Sequence, residues 1–184
     1  MKYGILFLLA FLWPPQLNAQ DSTLIDQIKA HKDGIGLWWA GHNGWLIKSG
    51  DLVISTDILL DYDKRAIPAS ISAEELAEVL DISFITHGHK DHFNRSTSAI
   101  LVEKSDCIFV LPESCIPIAE ELNIPKDRMR IAKPREPFTL KGVKVEPLRA
   151  IHGNANFAIY YQANLQDCGY AITIDNTRFI QPGD

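Results

Sequence analysis

Cysteine is scarce in this chain, with three in 184 residues and no Cys-x-x-Cys pair. That excludes a disulfide-stapled scaffold. No basic run occurs, and 18 Lys+Arg against 23 Asp+Glu leave a formal charge of −5, so there is no electrostatic footprint for nucleic acid. No apolar run approaches the roughly 20 residues that a transmembrane helix needs. Internal repeats, low-complexity segments and linkers are missing too. What is there, 46% hydrophobic and 22% charged residues, is the balance of an ordinary folded domain, and the length suits one domain with a sizeable core.

The longest apolar run is Gly4 to Trp13 (GILFLLAFLW), preceded by the positive start Met1-Lys2 and followed by the helix-breaking pair Pro14-Pro15. Leu17-Asn18-Ala19 then offers a cleavage site before Gln20. This is the layout of a secretory signal peptide over residues 1–19. Removing it takes away Lys2 and leaves 17 positive against 23 negative side chains, or −6. The expectation is a secreted or periplasmic protein with no stable membrane anchor after cleavage. In an oxidising compartment Cys107 and Cys115 could pair, but Cys107 sits in the apolar run CIFVL, and buried free thiols are the expected state.

Along the mature chain the pattern predicts an amphipathic helix over 21–32, strands at Ile35–Ala40, Trp45–Lys48 and Leu52–Thr56, and a helix near Ser72–Leu80. Ser72 begins S-A-E-E, the capping-box spacing. A buried strand, Asp81–Thr86, runs into His87. Helix is expected over 93–103 and 113–122, where Pro117 is tolerated only near the start, with a strand at 107–111 between them. From Lys141 the pattern is β, with strands at Val143–Leu148, Phe157–Tyr161 and Gly169–Ile174. A hairpin then turns through Asp175-Asn176 to Thr177–Gln181. Strands alternating with helices, then antiparallel hairpins, indicate an α/β (α+β) domain with a mixed sheet under helical cover.

The chemistry is concentrated in His87-Gly88-His89-Lys90-Asp91-His92. On an extended backbone His87 and His89 point the same way and can share one ion. Asp91 keeps that parity and His92 breaks it, so a turn at 90–92 would carry Asp91 and His92 to a second position. Gly88 would allow an unusual backbone conformation between the first two ligands. Imidazole and carboxylate without thiolate suit Zn²⁺, and Fe or Mn also match the ligand set. Asp91 has an alternative reading as the cap of a helix starting near His92.

Thr86 to His92 (THGHKDH) resembles the metal-binding signature of the metallo-β-lactamase-fold hydrolases. Gly41-His42-Asn43-Gly44-Trp45-Leu46-Ile47, followed by Leu52 to Asp57 (LVISTD), is similar to the opening hairpin of that fold, in the manner of its ascorbate-6-phosphate-lactonase-like branch. Ala150-Ile151-His152-Gly153 falls where the family places its next histidine. Gly169–Ile174 and Arg178 to Asp184 resemble the hairpin that ends on the metal-bridging aspartate. The likeness covers about residues 35 to 184. It implies an αββα sandwich, here its first half and part of its second, over residues 20–184.

By that resemblance His87, His89 and His152 hold a first metal, Asp91 and His92 a second, and Asp184 bridges them. Asp57 matches an aspartate that orients the site from behind the ligands, and reads equally as an ordinary strand-terminal acid. Asp175, the rival to Asp184, has a hairpin-turn setting instead. The family's second metal takes a further histidine after the bridging aspartate. The only other histidines here are His31, expected to face solvent, and His42, expected in a turn or supporting role though able to line the cleft. The chain is therefore expected to be C-terminally incomplete, with a full first site only. Trp38, Trp39 and Trp45 are expected in the core, with an apolar wall of the cleft as the alternative.

The implied function is a zinc-dependent hydrolase, with two zinc ions per full-length site. A metal-activated hydroxide would attack an ester, lactone, amide or phosphodiester of a small-molecule substrate, with Asp91 or Asp184 handling the proton. The helix near His92 would aim its positive end at anionic groups. Two alternatives stand beside it: a mono-iron oxidoreductase on the same fold, and a non-catalytic metal-binding protein or inactive fragment.

Overall fold

A computed structural model describes residues 22–150 and 167–184. The proposed signal segment, His152 and the strand expected at Phe157–Tyr161 lie outside the described residues.

Helix α1 (Leu24–Ala30) opens the fold, capped by a reciprocal box between Thr23 and Asp26. The antiparallel strands β1 (Ile35–Gly41), β2 (Gly44–Ser49) and β3 (Leu52–Thr56) follow. Three parallel strands extend that sheet: β4 (Ile82–Phe84), β5 (Ile108–Pro112) and β6 (Met129–Ala132), in the order β1-β2-β3-β4-β5-β6. Their crossovers carry α2 (Ala73–Ala77), α3 (Arg95–Lys104) and α4 (Ile116–Glu121). The second sheet is antiparallel, ordered β10-β9-β8-β7, from β7 (Phe138–Leu140), β8 (Val143–Arg149), β9 (Cys168–Ile174) and β10 (Thr177–Gln181).

Side-chain alternation along the strands divides the core in two. Val53, Ile85, Phe109 and Leu111 face the helices, packing with Ile28, Leu76, Phe93, Leu101 and Ala119. Their neighbours Ile54, Phe84 and Val110 face the other way, against Val143, Val145, Tyr170 and Ile172 of the second sheet. The result is helices, sheet and sheet in layers. Among the described residues, helices cover only the first sheet. Phe84 and Tyr170 meet edge-on with centroids 5.3 Å apart, and the Tyr170 hydroxyl donates to Ile85 O at 2.7 Å. The second sheet is thus tied to the end of β4, where the histidine motif begins.

Several expectations are revised. Strands β6 and β7 were not anticipated. The strand before the motif stops at Phe84, and α3 begins at Arg95 on the cap Asn94, whose Oδ1 accepts from Thr97 N at 2.8 Å. No helix starts at His92, and Asp91 caps none. The Ser72 capping box is present, and Pro117 lies in the first turn of α4. Gly88 has no positive φ; a Cβ there would come within 3.1 Å of Ile118 Cδ1, so packing against α4 accounts for it. Trp38 packs on the core, whereas Trp39 and Trp45 are exposed. His31 does not simply face solvent: its ring stands edge-on to Trp38 at 5.5 Å.

All three cysteines are free and fully buried. Burial raises each thiol pKa, that of Cys168 up to about 12, which suppresses the reactive thiolate. We therefore expect no reaction with a thiol reagent at pH 8 until denaturant is added, then three equivalents per chain; rapid labelling of the native protein would refute this packing. Gly36 faces the Trp38–His31 contact, and a Cβ there would sit 2.3 Å from the Trp38 ring. Gly36→Ala should lower unfolding stability by about 1–3 kcal/mol, the usual cost of overpacking. Urea denaturation at unchanged m-value would read it.

Candidate metal centre

The parallel strands β3 and β4 end side by side, and the loops that leave them carry the site. This is where open α/β sheets place ligands. Asp57 N donates to Phe84 O at 2.9 Å, so the backbone pairing continues past β3 into the loop. Asp57 itself has φ 41°, a left-handed conformation that Asp tolerates better than most residues. That turn sends its side chain, fully buried, beneath the histidine motif.

The Asp57 carboxylate is a four-fold acceptor. Oδ1 takes the Thr86 amide at 2.8 Å. Oδ2 takes the Thr86 hydroxyl at 2.8 Å, His92 Nδ1 at 3.0 Å and Gln181 Nε2 at 2.8 Å. Because the Thr86 hydroxyl gives its proton to Asp57, it can only accept from His87 Nδ1, 3.0 Å away. Both buried histidines are therefore held with Nδ1 as donor and Nε2 turned towards Asp184. This is the arrangement by which a carboxylate orients metal-binding imidazoles.

Residues 87–92 form a bend and a turn, not an extended strand, with His92 N and Phe93 N both bonded to His89 O. The turn still brings His87 and His89 together, their rings 4.7 Å apart, and stacks His92 obliquely on His87 at 4.1 Å. Ligand atoms of His87, His89 and Asp184 lie within 4.8 Å of one another, as do those of His42, Asp91 and His92. Asp184 spans the two groups, with Oδ1 3.0 Å from His92 Nε2 and Oδ2 3.8 Å from His87 Nε2. Asp175 is far from this cluster in role: it turns the β9–β10 hairpin at φ 46° and accepts from the Ser49 hydroxyl.

His42 sits in a turn, as the sequence suggests, and it also lines the cleft, with its ring nitrogen Nε2 3.0 Å from Asp91 Oδ2. Thr86 and Gln181 were not singled out at all. The position of Thr86 directly before the motif was the available signal for it. Nothing local marks Gln181, which reaches Asp57 from the second sheet.

The donor set fits a cation. His92 Nε2 is buried and makes no hydrogen bond, although Asp184 Oδ1 is 3.0 Å away. With Nδ1 already the donor to Asp57, two lone pairs would face each other there unless positive charge intervenes. The His92 pKa expresses this. Burial opposes its charged form, but the Asp57 hydrogen bond and the charges of Asp57, Asp184 and Asp91 outweigh burial and raise it. For Asp91, burial pushes up, while its own backbone hydrogen bond, the His42 hydrogen bond and the neighbouring histidines bring it down. Imidazole and carboxylate donors without thiolate suit Zn²⁺, Fe or Mn. Beside the cluster a cleft of about 390 Å³ is lined by Trp39, His42, Tyr62, Lys64, Ile67 and Asp91 among others. Trp39 is therefore a wall of the cleft, 61% exposed, and not part of the core.

Comparison with known proteins agrees with this architecture. Residues 36–184 match the family described as Beta-lactamase superfamily domain. The protein named "Probable L-ascorbate-6-phosphate lactonase UlaG" of Escherichia fergusonii is 22% identical over 172 residues, covering 78% of this chain and 48% of its own length. The chain thus spans about half the length of the curated relatives it matches. Among solved structures, the metallo hydrolase Igni18 of Ignicoccus hospitalis superposes with a TM-score of 0.60 at 16% identity, covering 82% of this chain and 60% of that one. The diiron beta-hydroxylase CmlA of Streptomyces venezuelae gives 0.63 at 16% identity, covering 83% and 30%. With the family matched over most of this chain and the layered fold shared, the chain belongs to the beta-lactamase superfamily, on the metallo-β-lactamase fold.

Proposed function

We propose that this protein is an exported metal-dependent hydrolase acting on a small-molecule ester, lactone, amide or phosphodiester. The observation that carries the reading is Asp184, one carboxylate oxygen turned to each of two adjacent histidine groups. His87, His89 and Asp184 would hold the first metal, joined by His152 on the sequence pattern. Asp91, His92 and Asp184 would hold the second. Divalent cations at such a site supply Lewis acidity and bring the ionisation of water into the neutral range.

The chain's own residues do the rest. Asp57 and Thr86 fix the tautomers of His92 and His87, so that Nε2 faces Asp184 in each. Asp91 and Asp184 are 38% and 47% exposed, and are the carboxylates able to take a proton from water and return it to a leaving group. Trp39, Tyr62 and Ile67 give the substrate an apolar wall, and Lys64 adds a positive charge at its rim. That lining suits a small molecule with an anionic group, and a lactone is the substrate class in the name of the UlaG relative. Export rests on the N-terminal segment, residues 1–19, and no helix among the described residues is long and apolar enough to cross a membrane.

The protein purified without chelator should carry about two metal ions per chain by elemental analysis, with zinc the expected ion, and His89→Ala should lose at least one. The loaded protein should hydrolyse members of a panel of esters, lactones, amides and phosphodiesters, with kcat/KM falling about a hundredfold or more in His89→Ala. Full metal loading with no hydrolysis anywhere in the panel would overturn the reading. A single iron with dioxygen consumption would replace it by an oxidoreductase.

Asp57→Asn preserves size and the left-handed backbone but removes the charge that its four hydrogen bonds share. Metal affinity should fall about 10–100-fold, as it does when a partner behind the ligands is lost. Competition with a chromophoric chelator measures this, and an unchanged affinity would show that Asp57 only packs.

A further inference from the structure

The second metal position, as assigned above, draws on Asp91, His92 and the shared Asp184. A third side chain converges there from a separate part of the fold. His42 comes from the turn between β1 and β2, 49 residues before Asp91, yet its Nε2 lies 3.0 Å from Asp91 Oδ2. Its ring stands 5.5 Å from that of His92, tilted by 64°. One donor atom from each of His42, Asp91 and His92 falls within 4.8 Å of the other two.

The turn that presents His42 is held from several directions. Gly41 and His42 both have positive φ, 96° and 51°. A non-glycine residue in that region persists where its surroundings over-determine it. The Trp39 indole donates to His42 O at 2.9 Å and closes the turn. Arg65 donates to Ala40 O at 3.2 Å and packs so closely that a Cβ on Gly41 would meet it at 2.5 Å. On the other side Gln181 Nε2 donates to Asn43 O at 3.3 Å and to Asp57 Oδ2 at 2.8 Å. The same buried carboxylate that orients His92 thus helps to locate the His42 turn. A surface histidine with no role beyond solvation would not require this clamp.

We infer that His42 is a direct ligand of the second metal, completing with Asp91 and His92 a three-residue set that Asp184 joins to the first. The inference rests on the two-metal reading and adds a ligand from the first hairpin. It also sets the second metal position beside the Trp39–Lys64 cleft, since His42 and Asp91 belong to both.

The test follows the histidine rings by long-range ¹H–¹⁵N NMR while zinc is added to the wild-type chain. The His42 Nε2 signal, identified by its loss in His42→Asn, should move to the metal-bound range with the second equivalent and not with the first. Asn is chosen because it tolerates the left-handed backbone; His42→Gly, which adopts that backbone freely, serves for the signal identification if the Asn variant does not fold. In the folded variant the second equivalent should bind more than about a hundredfold more weakly and the first unchanged, by calorimetry. If two equivalents bind and the His42 nitrogen does not move, His42 is no ligand, and the hydrolase reading stands without it. If only one equivalent binds to the wild-type chain, both this inference and the two-metal reading fail.

Discussion

One buried carboxylate, that of Asp57, holds the site together. An acceptor with no exposure to water costs several kcal/mol unless it is fully hydrogen-bonded, and Asp57 is satisfied from four directions. Each donor belongs to a part that must be aligned for the site to exist: the backbone and hydroxyl of Thr86, the ring of His92, and Gln181 from the second sheet. Removing any one leaves the buried carboxylate short of a donor. The four positions are therefore coupled, and the geometry of the histidine cluster is a consequence of satisfying a single group.

The coupling also explains why the site sits at the seam between the sheets. β3 and β4 supply Asp57 and the histidine motif, while β10 supplies Gln181 and, three residues on, Asp184. The approach there is close: a Cβ on Gly183, at φ 79°, would lie 3.2 Å from Thr86. The Phe84–Tyr170 contact and the Tyr170–Ile85 hydrogen bond fix the spacing of the layers just below. Apolar packing thereby sets the distance across which Asp184 reaches His87 and His92.

What could be read from sequence follows the range of the interactions involved. Capping at Ser72, the three opening strands and the Asp175-Asn176 turn are local, and the pattern contains them. The density of ligands in 87–92 is local too. The details went astray where a tertiary contact decides. Strand parity suggested how His87 and His89 face one ion, but the chain bends there because His89 O takes two amides and Asn94 begins the helix. β7 is three residues long, and β6 and β7 are recognisable mainly by their partners β5 and β8. Trp39 has the composition of a core residue and lies on the outward face of an edge strand. His42 looks like a turn residue because it is one; only the fold shows that the turn ends at Asp91.

The balance of charge gives these parts their chemical sense. Four imidazoles and three acids, counting His42, His87, His89 and His92 with Asp57, Asp91 and Asp184, crowd one end of the fold. The raised His92 pKa shows that this end attracts positive charge. A protein selected for stability alone would have little reason to gather acceptors around a histidine whose Nε2 is buried without a hydrogen bond. Ligand atoms preorganised before a cation arrives shift that cost onto folding, and binding then returns it as stabilisation of the folded state. The strained φ values at Asp57 and His42 belong to the same trade, since both place a ligand or the group behind it where an unstrained turn would not. Strain, burial and negative charge thus meet on the residues of the histidine cluster, and the apolar layers beneath them make that concentration tolerable.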